Sequence, residues 1–445
     1  MDRRLFLKAG VASVSALAAT TFAQRAISAA LATAPAKPTA LKAGSPHKQT
    51  KPATRFPHKE VMFVRVFWDK VYREARAMLE QRPINLDTDV EMDGAALNYA
   101  GWWMHNMSAF GNANGAGTAG GPWDYTDPAM RWDYPLGMDV KKAESYSRAR
   151  LIPRGGLGPR SPEQFLWDDK PADNCFKASP EVLTRKVKDA AYFLGCGDVG
   201  IARLNPLWVY ADHFNVLTHK THSWPRDPAQ FKYAVSMSIE MKPMSYEYYG
   251  SAATGLAYSQ MIFIASSLAA FIRGLGYPAI PTMNDTVTQT PVAIDAGLGE
   301  AGRMSLMISH KFGARHRLSS VLTDMPLIPD NPVTFGVEKF CETCDKCVKS
   351  CPIEAISLGE QSDVPRGRYN RNGFKRWYVD AEKCFNFWHI KRAACNFCIS
   401  VCPFNERRTH DFMNDAVDKL DSSLFNNVLT TLDNFLGNWR HHRHS

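Results

Sequence analysis

The sequence predicts an α/β protein in two unequal parts: a three-layer unit of helices and strands, then a smaller unit organised by cysteines. Apolar residues recur at helical spacing through Ser251–Gly274 and alternate with small or polar ones in Phe231–Met241, and such segments interchange along the middle of the chain. Eight of the ten cysteines crowd into the two stretches FCETCDKCVKSCPIEA and KCFNFWHIKRAACNFCISVCPFN. That density predicts a unit whose core is built around bound metal.

At 445 residues the chain is long enough for a large core and more than one structural unit. Its formal charge is +9, of which Arg3, Arg4, Lys8 and Arg25 against Asp2 place +3 in the first 32 residues. No Lys/Arg run interleaved with aromatics appears, so the sequence gives no support to nucleic-acid binding.

The opening MDRRLFLKAG pairs Arg3 and Arg4 ahead of Leu5, Phe6, Leu7 and Lys8 and leads into the alanine-rich run up to Ala23. Ala30-Leu31-Ala32 offers the small residues that a signal peptidase reads. Residues 1–32 therefore read as a twin-arginine export signal, which carries folded proteins with their cofactors already inserted. An N-terminal helix with incidental arginines is the alternative. Residues 33–57, rich in Pro, Ala and Lys, read as a linker. Beyond the leader no segment is expected to reach bilayer-spanning length, the richest being Met261–Ala270. The chain is thus expected to act beyond the cytoplasm, peripheral on the outer face of the membrane or in the periplasm.

Residues 58–335 form the larger unit. Ser179-Pro180 supplies a helix cap and a first-turn proline, and the helix they open ends at the Gly195–Gly197 turn. The strand VGIAR follows, then Phe231–Met241, then the long helix Ser251–Gly274, broken by GLGYPAIP. A further strand, RHRLSSVLTDMPL, begins near Arg315. No G-x-G-x-x-G after a strand, no P-loop and no H-E-x-x-H occurs, which removes support for nicotinamide binding and for a zinc hydrolase. Asn98 to Trp132 is rich in Gly, Asn and Trp and either covers a cofactor or simply connects. Cys175 and Cys196, far from the cysteine-rich stretches, read as small buried thiols.

Cys341-x2-Cys344-x2-Cys347-x3-Cys351-Pro352 is the bacterial ferredoxin spacing, in which three thiolates hold one [4Fe–4S] cube and the fourth reaches the other. Cys384-x10-Cys395-x2-Cys398-x3-Cys402-Pro403 keeps the last three spacings and displaces its first cysteine. The expected ligand sets are Cys341, Cys344, Cys347 and Cys402 for one cluster, and Cys351, Cys384, Cys395 and Cys398 for the other. Structural zinc rarely shows this paired layout, and a chain this large is no disulfide scaffold. Residues 336–410 are thus a ferredoxin-like unit with two [4Fe–4S] clusters. Residues 411–445 read as a helical tail that packs on the cluster unit or on a second subunit, so a homodimer is allowed.

Taken together, the twin-arginine leader, GLAYSQ, FIRGLGYPAIP, AIDAGLGEAGRMSLMISHKFGARHRLS and the two cysteine runs resemble the respiratory reductive dehalogenases. The resemblance implies a nitroreductase-like α/β unit enclosing a corrinoid, held base-off, beside the two clusters. It implies cleavage of a carbon–halogen bond in a small organohalide, coupled to anaerobic respiration. A small integral-membrane anchor subunit and a quinone-linked membrane electron donor are the implied partners. The D-x-H-x-x-G motif of proteins that ligate cobalt through histidine is absent, since YADHFNVL places Asp212 and His213 side by side. Its absence is neutral, being expected with a base-off corrinoid and equally with none.

By position the resemblance assigns Tyr258 as proton donor, Thr254 one helical turn earlier as a pocket residue, Asn284 after the Gly-Tyr turn, and Arg317, with Arg315 competing. Trp388 matches a pocket wall, and Trp102 and Trp103 are further pocket candidates. A free phenol, with a pKa of about 10, is a poor acid at neutral pH. An adjacent guanidinium stabilises the phenolate, so Arg317 is expected to lower the pKa of Tyr258. Without the resemblance a lone tyrosine on an apolar helix would read as core. Two other readings stand beside this one. An enzyme resembling epoxyqueuosine reductase, also a corrinoid and iron–sulfur protein, acts on tRNA in the cytoplasm. A non-catalytic exported ferredoxin-type electron carrier would need no corrinoid.

Overall fold

The computed structural model describes residues 38–41, 46–72, 74, 171–172, 175–215, 220–222, 227–241, 250–284, 286–391 and 395–405. The leader, the segment with Trp102 and Trp103, and the tail from 411 lie outside them. Its first short helix, α1, is Met62–Trp68. The helix α2, Pro180–Phe193, opens behind Ser179 and buries Leu183, Val187 and Ala191, a stripe of four-residue steps. It ends at Gly195, whose φ of 100° is a left-handed conformation open to glycine at little cost.

Four strands build the central sheet: β1 Asp198–Arg203, β2 Tyr233–Glu240, β3 Ala279–Thr282 and β4 His316–Thr323. Their order is β1-β2-β4-β3, and every pair is antiparallel. Between β2 and β3 runs the long helix α3, Gly250–Gly274. Because β4 lies between them, β2 and β3 point the same way, and α3 is the crossover that links them.

The period-2 alternation of the strands makes the layers. Val199 and Ile201 of β1, Val235, Met237 and Ile239 of β2, and Val321 of β4 face α2 and α3, which bury Met261, Ile264, Ala265, Leu268 and Ile272 against them. Ala202, Ala234, Ile280 and Leu322 face the other way, towards α4, Gln289–Asp295, and the segments around it. Each fully buried Val, Leu, Ile or Met among them contributes about 1.5–3 kcal/mol of burial free energy. The three-layer expectation holds, with an antiparallel sheet. At Gly200 the second layer closes tightly: a Cβ there would stand 2.0 Å from the carbonyl oxygen of Ala296.

One expectation needs correction. Leu256–Gly274 is long and apolar enough by composition to cross a membrane, whereas the sequence suggested no such span. Half of it is buried, and its inward face is the core just described. An apolar helix seated on a sheet has the same composition as a spanning one.

The cluster unit follows through α5 Val337–Thr343, α6 Lys346–Lys349, α7 Ala381–Lys391 and α8 Phe397–Ser400. Half-buried Glu300 accepts hydrogen bonds from the N–H groups of Phe335 and Val337 at the start of α5. Phe404 meets Phe340 edge-on at 5.4 Å and Phe335 at 6.3 Å. Gly313, at φ 59°, lies so close to the last turn that a Cβ would come within 2.2 Å of the Phe404 carbonyl oxygen. Arg315 completes this joint: it donates to the Asn405 carbonyl at 2.9 Å and pairs with Glu240.

Candidate functional site

The eight clustered cysteines fall into two neighbourhoods. Cys402 lies within electrostatic reach of Cys341, Cys344 and Cys347. Cys398 lies near Cys384, Cys395 and Cys351, and Cys384 near Cys395 and Cys351. These are the two sets that crossed ligation predicts, each drawing its fourth member from the other run. Cys398 is also close enough to Cys347 to sense its charge, so the two sets adjoin.

Local backbone explains how the loops hold the sulfurs. The N–H of Ala355 donates to Cys351 Sγ at 3.3 Å. Backbone N–H groups of Lys346, Phe397 and Phe404 act in the same way on Cys344, Cys395 and Cys402. Burial pushes the thiols up, Cys347 and Cys384 to about 12, so only bound metal holds them as thiolates in this setting. No three metal-ligating side chains among the described residues converge as a single ion would require. A cube has four irons, each bound to a different thiolate, and needs its cysteines further apart.

The second centre grows out of strand register. Thr282 pairs with Ser320, and continuing that register two residues past β3 brings Asn284 level with Leu318, next to Arg317. Counting back from inward-facing Val321 through Ser319 puts Arg317 on the face covered by α3. There Asn284 Nδ2 donates a hydrogen bond to the Tyr258 hydroxyl at 2.7 Å. Arg317 acts electrostatically on the same phenol and on Cys398. Tyr258 and Arg317 are enclosed by protein yet keep some solvent contact. Tyr258, Asn284 and Arg317 therefore converge from α3, the end of β3 and the start of β4, beside the second cysteine set.

Arg317 lowers the pKa of Tyr258 as expected, but the net shift goes the other way. Burial raises it, and this outweighs the lowering by Arg317 and by the Asn284 hydrogen bond, so the phenol lies above its ordinary value. The sequence showed the guanidinium but not the depth of the site. Arg315, the rival to Arg317, is buried in the joint with Asn405 and Glu240. Thr254 stands one turn before Tyr258 on α3. Trp388 sits on α7 one turn after Cys384, with its indole against that thiol and its ring 6.1 Å from Phe385. It thus stands with the second cluster's cysteines. Trp102 and Trp103 lie outside the described residues. Sequence reasoning missed Ser319, the next residue after Arg317 on the same face of β4. Its hydroxyl is buried with no hydrogen-bond partner among the described residues, and its only sequence signal was a polar residue at an inward position.

Comparison with known proteins places these features. Residues 340–405 match the family model of a 4Fe-4S double cluster binding domain. A tetrachloroethene reductive dehalogenase of Sulfurospirillum multivorans is 33% identical over 307 residues, 61% of this chain and 60% of its own. One from Desulfitobacterium hafniense is 41% identical over 186 residues, 38% of this chain and 34% of its own. Among solved structures, a reductive dehalogenase whose structure suggests a mechanism for B12-dependent dehalogenation superposes with a TM-score of 0.52 at 26% identity, covering 60% of this chain and 38% of that one. This chain spans between about a third and three fifths of these proteins' lengths. In sequence and in fold the chain is thus similar to reductive dehalogenases, and its residues 340–405 form a double [4Fe–4S] cluster binding domain.

Proposed function

We propose that this chain cleaves the carbon–halogen bond of a small organohalide, using electrons delivered through its two clusters to a corrinoid and a proton supplied by Tyr258. The observation that carries this reading is the convergence of Tyr258, Asn284 and Arg317 beside the cysteine set that includes Cys398. The proposed proton donor thus stands beside cysteines proposed to hold a cluster. A pure electron carrier has no use for the second.

A corrinoid would be held next to Tyr258 and Arg317, the half-buried pair that keeps solvent contact beside the second cysteine set. No described histidine is needed as a cobalt ligand if the group binds base-off. Bound there, a corrinoid supplies a cobalt centre of low potential whose electrons break the carbon–halogen bond.

The rest is done by the chain's own groups. Tyr258 stays protonated through neutral pH, because burial holds its pKa above the ordinary phenol value. Its oxygen accepts from Asn284 and keeps its own proton to give. Once halide has left, the organic fragment is a far stronger base than phenolate and takes that proton from Tyr258. Arg317 and Asn284 then stabilise the phenolate left behind. Thr254, Trp388, Trp102 and Trp103 are proposed as pocket residues, with an apolar wall suited to a small apolar substrate. The cysteine sets hold the clusters and keep them adjacent.

Residues 1–32 are proposed to direct twin-arginine export to the outer face of the cytoplasmic membrane. A small integral-membrane subunit would anchor the protein there, and a quinone-linked donor would feed it. The test is to prepare the protein anaerobically, verify cobalt and about eight irons per chain, and measure halide release from chlorinated ethenes and other small organohalides with a low-potential reductant. Halide release that requires both cobalt and iron supports the proposal. A fully loaded protein that releases none across the panel contradicts it.

A further inference from the structure

Arg303 is a buried cation without an acidic partner among the described residues, set against the first cysteine set. Only 2% of the side chain is exposed. Its guanidinium donates to backbone carbonyls alone. Nε reaches Cys341 at 2.9 Å and Cys344 at 3.1 Å, Nη1 reaches Gly359 at 2.7 Å and Ser357 at 3.2 Å, and Nη2 reaches Glu342 at 3.2 Å as well as Cys341. The plane of the group lies over Trp377, 4.8 Å from the ring centroid. Two of the carbonyls belong to cluster ligands themselves.

Taking a guanidinium out of water is costly, and five neutral carbonyls with one aromatic face return only part of the cost. A net negative charge nearby balances the rest. The cysteines of the first set supply it when they hold a [4Fe–4S] cube, an assembly of net charge about −2 that gains one more negative charge on reduction. In accord with this, the Arg303 charge acts on Cys341, Cys344 and Cys347, three of the four ligands of that set, and is not among the main influences on Cys384, Cys395 and Cys398.

We propose that Arg303 is the counter-charge of the first cluster and holds its reduction potential above the value the same cysteine cage would otherwise give. A fixed cation stabilises the more negative, reduced state over the oxidised one, and inside a low-dielectric shell the effect is weakly screened. The second cluster, beside Arg317 and the proposed active site, is set independently. The two potentials are thus separated by a residue that touches neither substrate nor corrinoid. This inference rests on the double-cluster domain and not on dehalogenation, so it stands or falls separately from the proposed reaction.

The test is an EPR-monitored redox titration of the cluster-loaded full chain, comparing wild type with Arg303→Gln and Arg303→Lys. Gln removes the charge, and Lys keeps it while losing the planar fork. For Arg303→Gln the reduction equilibrium of one cluster should shift at least tenfold towards the oxidised form, which is about 59 mV for one electron, while the other cluster stays within threefold. Arg303→Lys should stay within threefold at both clusters. An unchanged potential in Arg303→Gln, or equal shifts at both clusters, would overturn the proposal. If Arg303→Gln does not retain both clusters, the Lys variant decides: a tenfold shift there shows that the fork and not the charge sets the potential.

Discussion

Tyr258, the proposed proton donor, is kept protonated by its surroundings. Its pKa is held above the ordinary phenol value by burial, while Arg317 and Asn284 pull the other way without prevailing. Turnover should therefore stay flat across neutral and mildly alkaline pH and fall only above about 10, where an ordinary phenol would already have lost its proton. A turnover decline centred well below that value would place another group in control. Truncating Asn284 to Ala removes one of the two groups that stabilise phenolate and should cut turnover about tenfold with little change in KM. A rise in KM with kcat intact would make Asn284 a binding residue instead. These roles were legible in the sequence only as residue types at matching spacings. What could not be read was depth, since nothing in TGLAYSQM says how far the phenol leaves water.

At the scale of elements, β4 does most to assemble the site. It lies between β2 and β3, so one strand sets Arg317 beneath α3 and brings the residues after β3 alongside. Its opposite face carries His316, buried and donating from Nδ1 to the Gly313 carbonyl at 3.1 Å. Burial first, with the charges of Arg317 and Arg315 assisting, lowers its pKa to about 4. That is below the about 6.5 of an unfolded histidine, so the stability neutral His316 provides is complete above about 6.5 and is lost as pH falls towards 4. Between pH 7 and 5.5 this loss is about 1 kcal/mol. Thermal midpoints of wild type and His316→Gln at those two pH values check it, and the variant should lose less. If both fall equally, other groups carry the acid sensitivity. At the second layer, Gly200→Ala should cost about 1–3 kcal/mol by forcing β1 away from Ala296. The elements were readable because alternation and helical periodicity are local properties. The antiparallel order was not, since pairing is decided by contacts far apart in sequence.

For the molecule as a whole, the joint between the sheet unit and the cluster unit sets the proposed active site beside the second cysteine set. Arg315, Asn405, Gly313 and the phenylalanine group around Phe404 fix it. The cluster unit was almost fully legible, because cysteine spacing is a direct record of cube geometry, and even the crossed grouping follows from it. The joint was not legible, being made by backbone carbonyls and by a glycine whose reason lies some ninety residues away. The central claim is that the proton and the electrons meet at Tyr258. The measurement that tests it is halide release by wild type and Tyr258→Phe, matched in cobalt and iron content and assayed with the same low-potential reductant. The account predicts release by the wild type and a loss of about 10²–10⁴-fold in the variant, the usual worth of a positioned proton donor. Equal release by both would contradict it.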